Sequence, residues 1–586
     1  MQRYTLKFYI SKFLGLKSFL FQYFYDIIEL MLSNKEVSGL FKTLGALMEL
    51  HGENDFKTKS YTNAAFQLGR VTGSVMEMPE ADLDSVQGVG KSIIGKIKEL
   101  RTSGTIATLQ EYLQKTPLGV VEILKIKGLG GKKVGMIWRD LEIESVGELL
   151  YACNENRLAK LKGFGEKTQE SVIKSIEYYQ SNIGKFHYAR IAPAAEEIMS
   201  LLKEKIVSEK ISFCGEIRRQ CNVIEKLEII CAESCNFLNN LDAFPFLLRD
   251  NKTENLITGK TTNDIQFEIT IVPDQNYYFE LFTKTGSVLH VENIISKLNN
   301  KIEFDSEEAI YREAGYEYIS PEFREDHIDI DSLVQSDIIK LEDVKGVVHN
   351  HSTWSDGKNS IEEMVLATKK AGYDYFVISD HSKTASYAGG LTELQITEQQ
   401  KEIDALNIKY PDFKIFKSIE CDILFDGKLD YANEILSSFD LVITSIHQNL
   451  KMDEQKATTR LLAAIENPYT TILGHMTGRL LLSRPGYPVD HKKIIEACAA
   501  NDVVIEINAN PYRLDIDNSW IPYALKHKVM ISINPDAHSV EGINDINWGI
   551  ISARKGGLTK RMTWNGMNRA EIESWLIDRK KKKGIL

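Results

Sequence analysis

The residues best suited to joint chemistry lie in the C-terminal part of this chain. His349-Asn350-His351 follows the apolar run Gly346-Val347-Val348, and Asp356 comes in the next turn. Asp380-His381, Glu420, His447 and His475 each close a further apolar run, and Asp536-Ala537-His538 closes the last. In extended backbone, residues i and i+2 share a face. His349 with His351, and Asp536 with His538, can therefore reach one ion. A lone histidine after a strand is more often a surface or hydrogen-bonded residue than a ligand. Here, however, six of the twelve histidines of the chain fall at equivalent places, which independent coincidence does not explain. Imidazole and carboxylate without cysteine suit manganese, zinc or iron rather than calcium. So many groups exceed what one ion needs, and two or three divalent transition-metal ions are expected. Structural metal sites are usually closed four-ligand shells, which argues against a purely structural cluster. Clustered cations hold both the attacking and the leaving oxygen of a phosphoester displacement, and that is the chemistry expected here.

The elements that must position these groups are apolar runs at 375–379, 414–419, 441–446, 470–473, 503–507 and 529–533, alternating with helical runs. Such alternation predicts parallel strands with crossover helices, open or closed into a barrel. Each candidate ligand then stands at a C-terminal strand end, the face on which βα barrels do chemistry.

The strings HNHSTWSDG (349–357), ISDH (378–381), IECD (419–422), SIHQ (445–448), LGHMTGR (473–479) and NPDAH (534–538) resemble the polymerase and histidinol phosphatase (PHP) domain. The resemblance covers roughly 346–577 and implies a distorted α/β barrel holding three ions. Matched position by position, it implies the ligands His349, His351, Asp356, His381, Glu420, His447, His475, Asp536 and His538. The runs 477–488 and 510–513 look like the form of this domain fused to bacterial family X DNA polymerases.

Upstream, strands are expected at 210–215, 227–232 and 265–272, followed by helical and mixed segments. The order of parts is similar to that of the same polymerases, whose middle domain carries a Gly-Ser loop, an arginine pair, an Asp-x-Asp and a third Asp. Here Gly215-Glu216-Ile217-Arg218-Arg219 matches the loop, with Glu216 in place of Ser. Lys226-Leu227-Glu228 stands where Asp-x-Asp belongs, and Glu268 replaces the third Asp, while Gly286-Ser287 and His290 keep part of a later motif. An ammonium has no lone pair for a cation. The degenerate site Glu216, Arg219, Lys226, Glu228 and Glu268 is therefore expected to hold no magnesium and to perform no synthesis, leaving a scaffold that grips DNA.

Three glycine loops recur nearer the N-terminus: Gly88-Val89-Gly90-Lys91, Gly128-Leu129-Gly130-Gly131-Lys132 and Gly163-Phe164-Gly165. Each ends one helical run and opens another, at 91–100, 132–141 and 167–179. Glycine allows the tight turn, and the amides of the next helix then face outward to hold phosphate. This helix-hairpin-helix pattern contacts DNA backbone without reading sequence. One copy is weak evidence; three copies, two followed by lysines, favour DNA over a structural role. The resemblance also implies an abasic-site lyase lysine at Lys96, although an ordinary lysine on a helix face is charged and unreactive.

Length and charge frame these readings. At 586 residues several domains are expected. A net charge of −11 excludes a whole-chain basic signature, so any DNA contact is local. Seven cysteines without a CxxC pair fit neither a zinc ribbon nor a disulfide framework, and point to a reduced, cytoplasmic setting. Lys12, Lys17, Asp26 and Glu29 interrupt the aromatic-rich extension at 1–30, so it is not read as a membrane span.

The expected organisation is multidomain. After the extension come α-helical helix-hairpin-helix parts (31–105 lyase-like, 106–183), an α+β nucleotidyltransferase-like palm and thumb (184–335), a linker (336–345) and an α/β PHP domain (346–586). The leading expectation is a monomeric DNA-repair enzyme trimming 3′ ends of gapped, nicked or recessed duplexes as a 3′–5′ exonuclease, with abasic endonuclease or 3′-phosphatase activity as extensions. The alternatives are a bifunctional polymerase and exonuclease that still fills gaps, and a small-molecule phosphatase of the histidinol phosphate type, which would have no use for the glycine hairpins.

Overall fold

A computed structural model of the chain describes residues 32–586 except 72, 155, 156, 207 and 300. The extension at 1–30 therefore lies outside the described residues. No helix among the described residues is long and apolar enough to cross a membrane. The chain divides between Ile183 and Gly184 into two compact units.

The first unit is helical. Helices α1 (Lys91–Ser103), α2 (Gly131–Leu141) and α3 (Glu166–Ser181) each start directly after a glycine loop. The first glycine of each loop has positive φ: 82° at Gly88, 90° at Gly128 and 88° at Gly163. A side chain is strained in that conformation, which is why glycine recurs there. The second glycine of each loop is the extended N-cap of the helix, without a side-chain cap, so the first amides are left open. Ile93, Ile97 and Leu100 on α1, and Val134 and Ile137 on α2, turn the opposite faces into the core.

The second unit contains an α+β part and a βα part. Helix α4 (Tyr188–Lys205) precedes a mixed five-stranded sheet of order β2-β4-β7-β6-β5. Its strands are β2 (Ile211–Cys214), β4 (Leu227–Ala232), β5 (Leu247–Lys252), β6 (Leu256–Thr261) and β7 (Gln266–Val272), with a short pair β1 (Phe186–His187) and β3 (Val223–Ile224) beside it. Strands β4 and β7 run parallel, with Glu228 directly opposite Glu268. The β5–β6 hairpin was not anticipated, because Leu247–Lys252 buries only Leu247 and so shows no apolar alternation.

The βα part is parallel throughout. Strands β8 (Gly346–Val347), β9 (Tyr375–Ile378) and β10 (Lys414–Lys417) form one sheet. Strands β11 (Glu420–Asp422), β12 (Val442–Ser445), β13 (Thr470–Leu473), β14 (Val504–Asn508) and β15 (Ile531–Asn534) form the other. Parallel bridges His381–Glu420 and Asn350–Ala537 join the two sheets at both seams, giving a distorted barrel. The stretch expected as a linker is packed: Ile338 and Ile339 are buried, and Ile339 N donates to Leu558 O at 3.0 Å. Two adjacent isoleucines outweigh its polar composition.

Helix α5 (Ile546–Lys555) of the barrel plugs into the α+β part. Buried Lys555 donates to Glu325 Oε1 at 2.5 Å and to Arg219 O at 2.8 Å, and Arg554 pairs with Glu322 at 2.7 Å. His187 reaches Leu481 O at 3.0 Å and meets the Tyr512 ring at 4.7 Å.

Candidate metal centre

Seven of the nine expected ligands follow the C-terminal end of a barrel strand; Glu420 instead begins a strand and Asp356 lies on a loop. His349 and His351 leave β8, His381 leaves β9, Glu420 opens β11, His447 follows β12, His475 follows β13, and Asp536 and His538 follow β15. His349 and Asp536 hold φ of 63° and 52°, conformations that cost a non-glycine residue energy and that cluster at functional sites. Asp356 is brought in by the loop after β8. Asp380 organises that loop, accepting from Ser352 N at 2.8 Å, Ser352 Oγ at 2.7 Å and Ser355 Oγ at 2.5 Å. Asp380 thus holds the loop in place, while its neighbour His381 faces the centre.

Glu420 sits in the middle of the cluster. Its carboxylate lies 3.2 Å from His349 Nε2, 3.0 Å from His381 Nδ1, 3.1 Å from His447 Nε2, 3.0 Å from His475 Nε2 and 3.6 Å from His351 Nε2. Asp536 Oδ1 lies 3.1 Å from His351 Nε2, and Asp356 Oδ1 lies 3.3 Å from His538 Nε2 and 3.6 Å from His381 Nε2. Three overlapping groups have ligand atoms within metal-chelating reach of one another: His351, Asp356, His381 and His538; His349, His351 and Asp536; His381, Glu420 and His447. His475 joins them through Glu420. Burial alone would raise the Glu420 pKa, but the imidazoles of His447, His349 and His381 outweigh it and hold the carboxylate well below its usual range. Burial, with His538 and His381 nearby, lowers His351 to about 4.

These residues fit divalent cations by the direction of their nitrogens. His349 donates from Nδ1 to Glu506 at 2.6 Å, and His447 donates from Nδ1 to Asp422. In each ring the lone pair of Nε2 then points at the centre, the arrangement in which a carboxylate orients a metal-binding imidazole. Buried His349 Nε2, both ring nitrogens of His351, and His381 Nδ1 have no hydrogen-bond partner of good geometry. Buried polar atoms are normally paired, so orphaned nitrogens concentrated in one pit call for cations.

Glu506 and Asp422 were not singled out from the sequence. Glu506 is fully buried; it also accepts from His475 N at 3.0 Å and from Asn534 Nδ2 at 2.8 Å. A signal existed: one carboxylate interrupts the apolar strand Val504–Asn508, and a buried charge needs a partner. The mouth of the pit carries Arg513, whose Nε lies 3.8 Å from Asp536 Oδ2, and Tyr387, whose ring centroid lies 6.3 Å from that of His381. Burial, then the carboxylates of Asp422, Glu420 and Asp356, push the Tyr387 hydroxyl pKa up, so it is neutral.

The remaining histidines have local partners elsewhere. His51 bonds Thr116, His187 and His327 reach backbone carbonyls, His290 bonds Tyr311, His491 stacks on Trp520 and His527 packs at a tilt against Tyr523.

In the α+β part, Lys226 is inserted between the two glutamates, with Nζ 2.6 Å from Glu268 Oε2 and 3.3 Å from Glu228 Oε1. Gly215 allows Glu228 its place, since a Cβ there would stand 1.8 Å from Glu228 Oε2. Glu216 accepts from Glu225 N at 2.8 Å, and burial raises its pKa. Arg219 pairs with Glu325 at 3.0 Å and donates to Thr285 O at 2.7 Å.

In the first unit Lys96 lies 2.7 Å from Glu99, Lys98 2.5 Å from Glu80 and Lys132 3.3 Å from Asp55, whereas Lys91 is exposed. The structure brings together all nine residues expected to bind metal in the barrel. The lysines of the glycine loops remain at the surface; Lys132 is held there only by an exposed pair, which is worth little.

Comparison with known proteins follows the same division. Residues 32–106 match the model described as a helix-hairpin-helix domain, 120–177 the SAM-like helix-hairpin-helix tandem, and 348–510 the PHP domain. The chain is 32% identical over 565 residues to the DNA polymerase/3′-5′ exonuclease PolX of Bacillus subtilis (strain 168), which spans 92% of this chain and 99% of that protein. It is 26% identical over 239 residues to a probable phosphatase of Thermoanaerobacter sp. (strain X514), covering 37% of this chain and 94% of that one. A probable phosphatase YcdX of Escherichia coli O81 (strain ED1a) is 25% identical over 172 residues, covering 28% of this chain and 64% of its own.

Proposed function

The chain belongs to the bacterial family X DNA polymerases that carry a C-terminal PHP domain, and on that premise we propose that it is a metal-dependent phosphoesterase trimming DNA 3′ ends, with synthesis lost. The convergence of nine imidazole and carboxylate ligands on one buried pit carries this reading. Divalent ions bound there would supply Lewis-acid polarisation of the phosphodiester and neutralise charge developing on its oxygens. His349, His351, Asp356, His381, Glu420, His447, His475, Asp536 and His538 would hold them. Glu506 and Asp422 fix the two imidazoles they touch in ligating orientation. Arg513 brings a cation to the mouth, where a phosphodiester enters. An imidazole-rich set favours manganese, zinc or iron over magnesium, which prefers oxygen shells. Abasic endonuclease and 3′-phosphatase activities need the same phosphoester chemistry.

The test is direct. Pure protein with manganese, acting on a 5′-labelled, 3′-recessed duplex, should give a ladder shortening from the 3′ end. Intact DNA over a time course that consumes free histidinol phosphate would instead favour the small-molecule phosphatase.

The first unit would hold the duplex through backbone amides and lysines. Binding should then weaken steeply with salt and show little sequence preference. Lys91→Ala together with Lys132→Ala should flatten the log–log salt slope by about two units, near one for each phosphate no longer neutralised. Titration of a labelled gapped duplex over 50–200 mM salt measures it, and an unchanged slope would remove these loops from the interface. Lys96, paired with Glu99, gives lyase chemistry little support.

A further inference from the structure

Tyr387 is 59% exposed although it stands beside a buried polar cluster. It occupies a short 3-10 turn, Ser386–Ala388, on the loop that runs from His381 to the helix Glu393–Lys409. That loop is held at many points. Ser382 N donates to Glu420 O at 3.0 Å, and Asp422 N donates back to Ser382 Oγ at 2.9 Å. Lys383 N bonds Tyr431 Oη at 3.0 Å, Thr384 N bonds Asp430 at 2.7 Å, and Leu391 N bonds His381 O at 2.9 Å. Gln448 Nε2, one residue past His447, reaches Thr384 O at 2.6 Å. The same backbone that carries Glu420, His381 and His447 therefore fixes the tyrosine.

The Tyr387 hydroxyl makes no hydrogen bond to a described residue, so no polar tether explains the side chain. An aromatic ring presented to solvent by a rigid loop, 6.3 Å from a ligand imidazole, is arranged to meet a flat apolar partner. At the mouth of a phosphoesterase pit acting on DNA ends, the flat group nearest the scissile phosphate is the terminal nucleobase. Stacking tolerates any base, because every base offers a π face. Arg513, whose charge reaches both Asp536 and Tyr387, covers the same mouth with a phosphate-seeking group.

We infer that Tyr387 is the stacking platform for the 3′-terminal nucleobase, seating the last nucleotide so that its phosphate enters the metal centre. This rests on the exonuclease reading above. It makes Tyr387 a positioning residue whose contribution is read in KM and in the presence of the base.

The test is a chemical double-mutant cycle. Two 3′-recessed duplexes differ only in their terminal residue, an ordinary nucleotide or a tetrahydrofuran abasic analogue. With manganese, the parent enzyme should trim the base-bearing end with a KM lower by roughly tenfold, the scale of one base–aromatic stack. Tyr387→Phe should keep that preference, and Tyr387→Ala should abolish it by raising KM for the base-bearing end alone. A merely structural role would change both substrates in proportion and leave the preference intact, which would overturn the inference. A parent enzyme indifferent to the base would overturn it as well. A parent that trims neither end overturns the exonuclease reading and this one together, so the two failures are distinguishable.

Discussion

Stripping divalent ions from this protein should abolish 3′-end trimming, and manganese should restore it at least as well as magnesium. The centre offers six imidazoles and three carboxylates, and magnesium dehydrates reluctantly for nitrogen ligands. Without divalent cations, only the Arg513 guanidinium at the mouth opposes charge on the phosphoester oxygens, and the clustered carboxylates repel the substrate. A loss of three orders of magnitude or more, about 4 kcal/mol at 1.36 kcal/mol per factor of ten, is expected. Glu420→Ala should match that loss at saturating manganese, since Glu420 contacts the imidazoles of His349, His351, His381, His447 and His475. Chelation, dialysis and metal add-back on a labelled 3′-recessed duplex measure the first effect, and single-turnover rates of the variant measure the second. Undiminished trimming in magnesium after rigorous removal of transition metals would refute the proposed ligand chemistry.

No primer extension should be detectable from the intact protein, nor from His349→Ala combined with Asp536→Ala, in which trimming cannot mask synthesis. Polymerisation requires two cations held by close carboxylates, so that the 3′-hydroxyl and the triphosphate meet in line. Here the ammonium of Lys226 already sits between Glu228 and Glu268. A cation entering that space meets a like charge. At an effective dielectric of 20 the repulsion is about 4 kcal/mol per unit charge pair at 4 Å, doubled for a divalent ion. Several orders of magnitude of rate follow from such a penalty. Arg219 is committed to Glu325 and Thr285. Gapped duplex, the four deoxynucleotides and either magnesium or manganese make the assay. Template-dependent extension by the trimming-deficient variant would restore the bifunctional polymerase and exonuclease.

Much of the metal centre was legible in the residues alone. Ligands at i and i+2 after apolar runs must share a face, because side chains alternate along extended backbone. That local rule placed His349 with His351 and Asp536 with His538. Repetition of the pattern at strand after strand implied one common barrel face, and the glycines at positions 88, 128 and 163 announced turns that the backbone does make with positive φ. The exchange of Asp for Lys at 226 was equally visible, since it is a change of charge at a single position.

Tertiary structure alone decided which groups support the ligands. Glu506 lies 157 residues from His349 in sequence yet orients its ring, and the interval has no local period that could have announced the pairing. Glu420 as the hub is likewise a product of barrel closure, because its partners come from different strands. Lys226 could be read as unable to bind metal, but its position between two glutamates follows from the parallel register of β4 and β7, which sets Glu228 opposite Glu268. Tyr387 shows the same limit. Its residue type is ordinary in sequence, and only the fold sets an exposed ring at the mouth of a buried cluster. Local chemistry is written in spacing along the chain; contacts between distant residues depend on how elements pack, and packing energy is shared among many side chains with no single sequence signature.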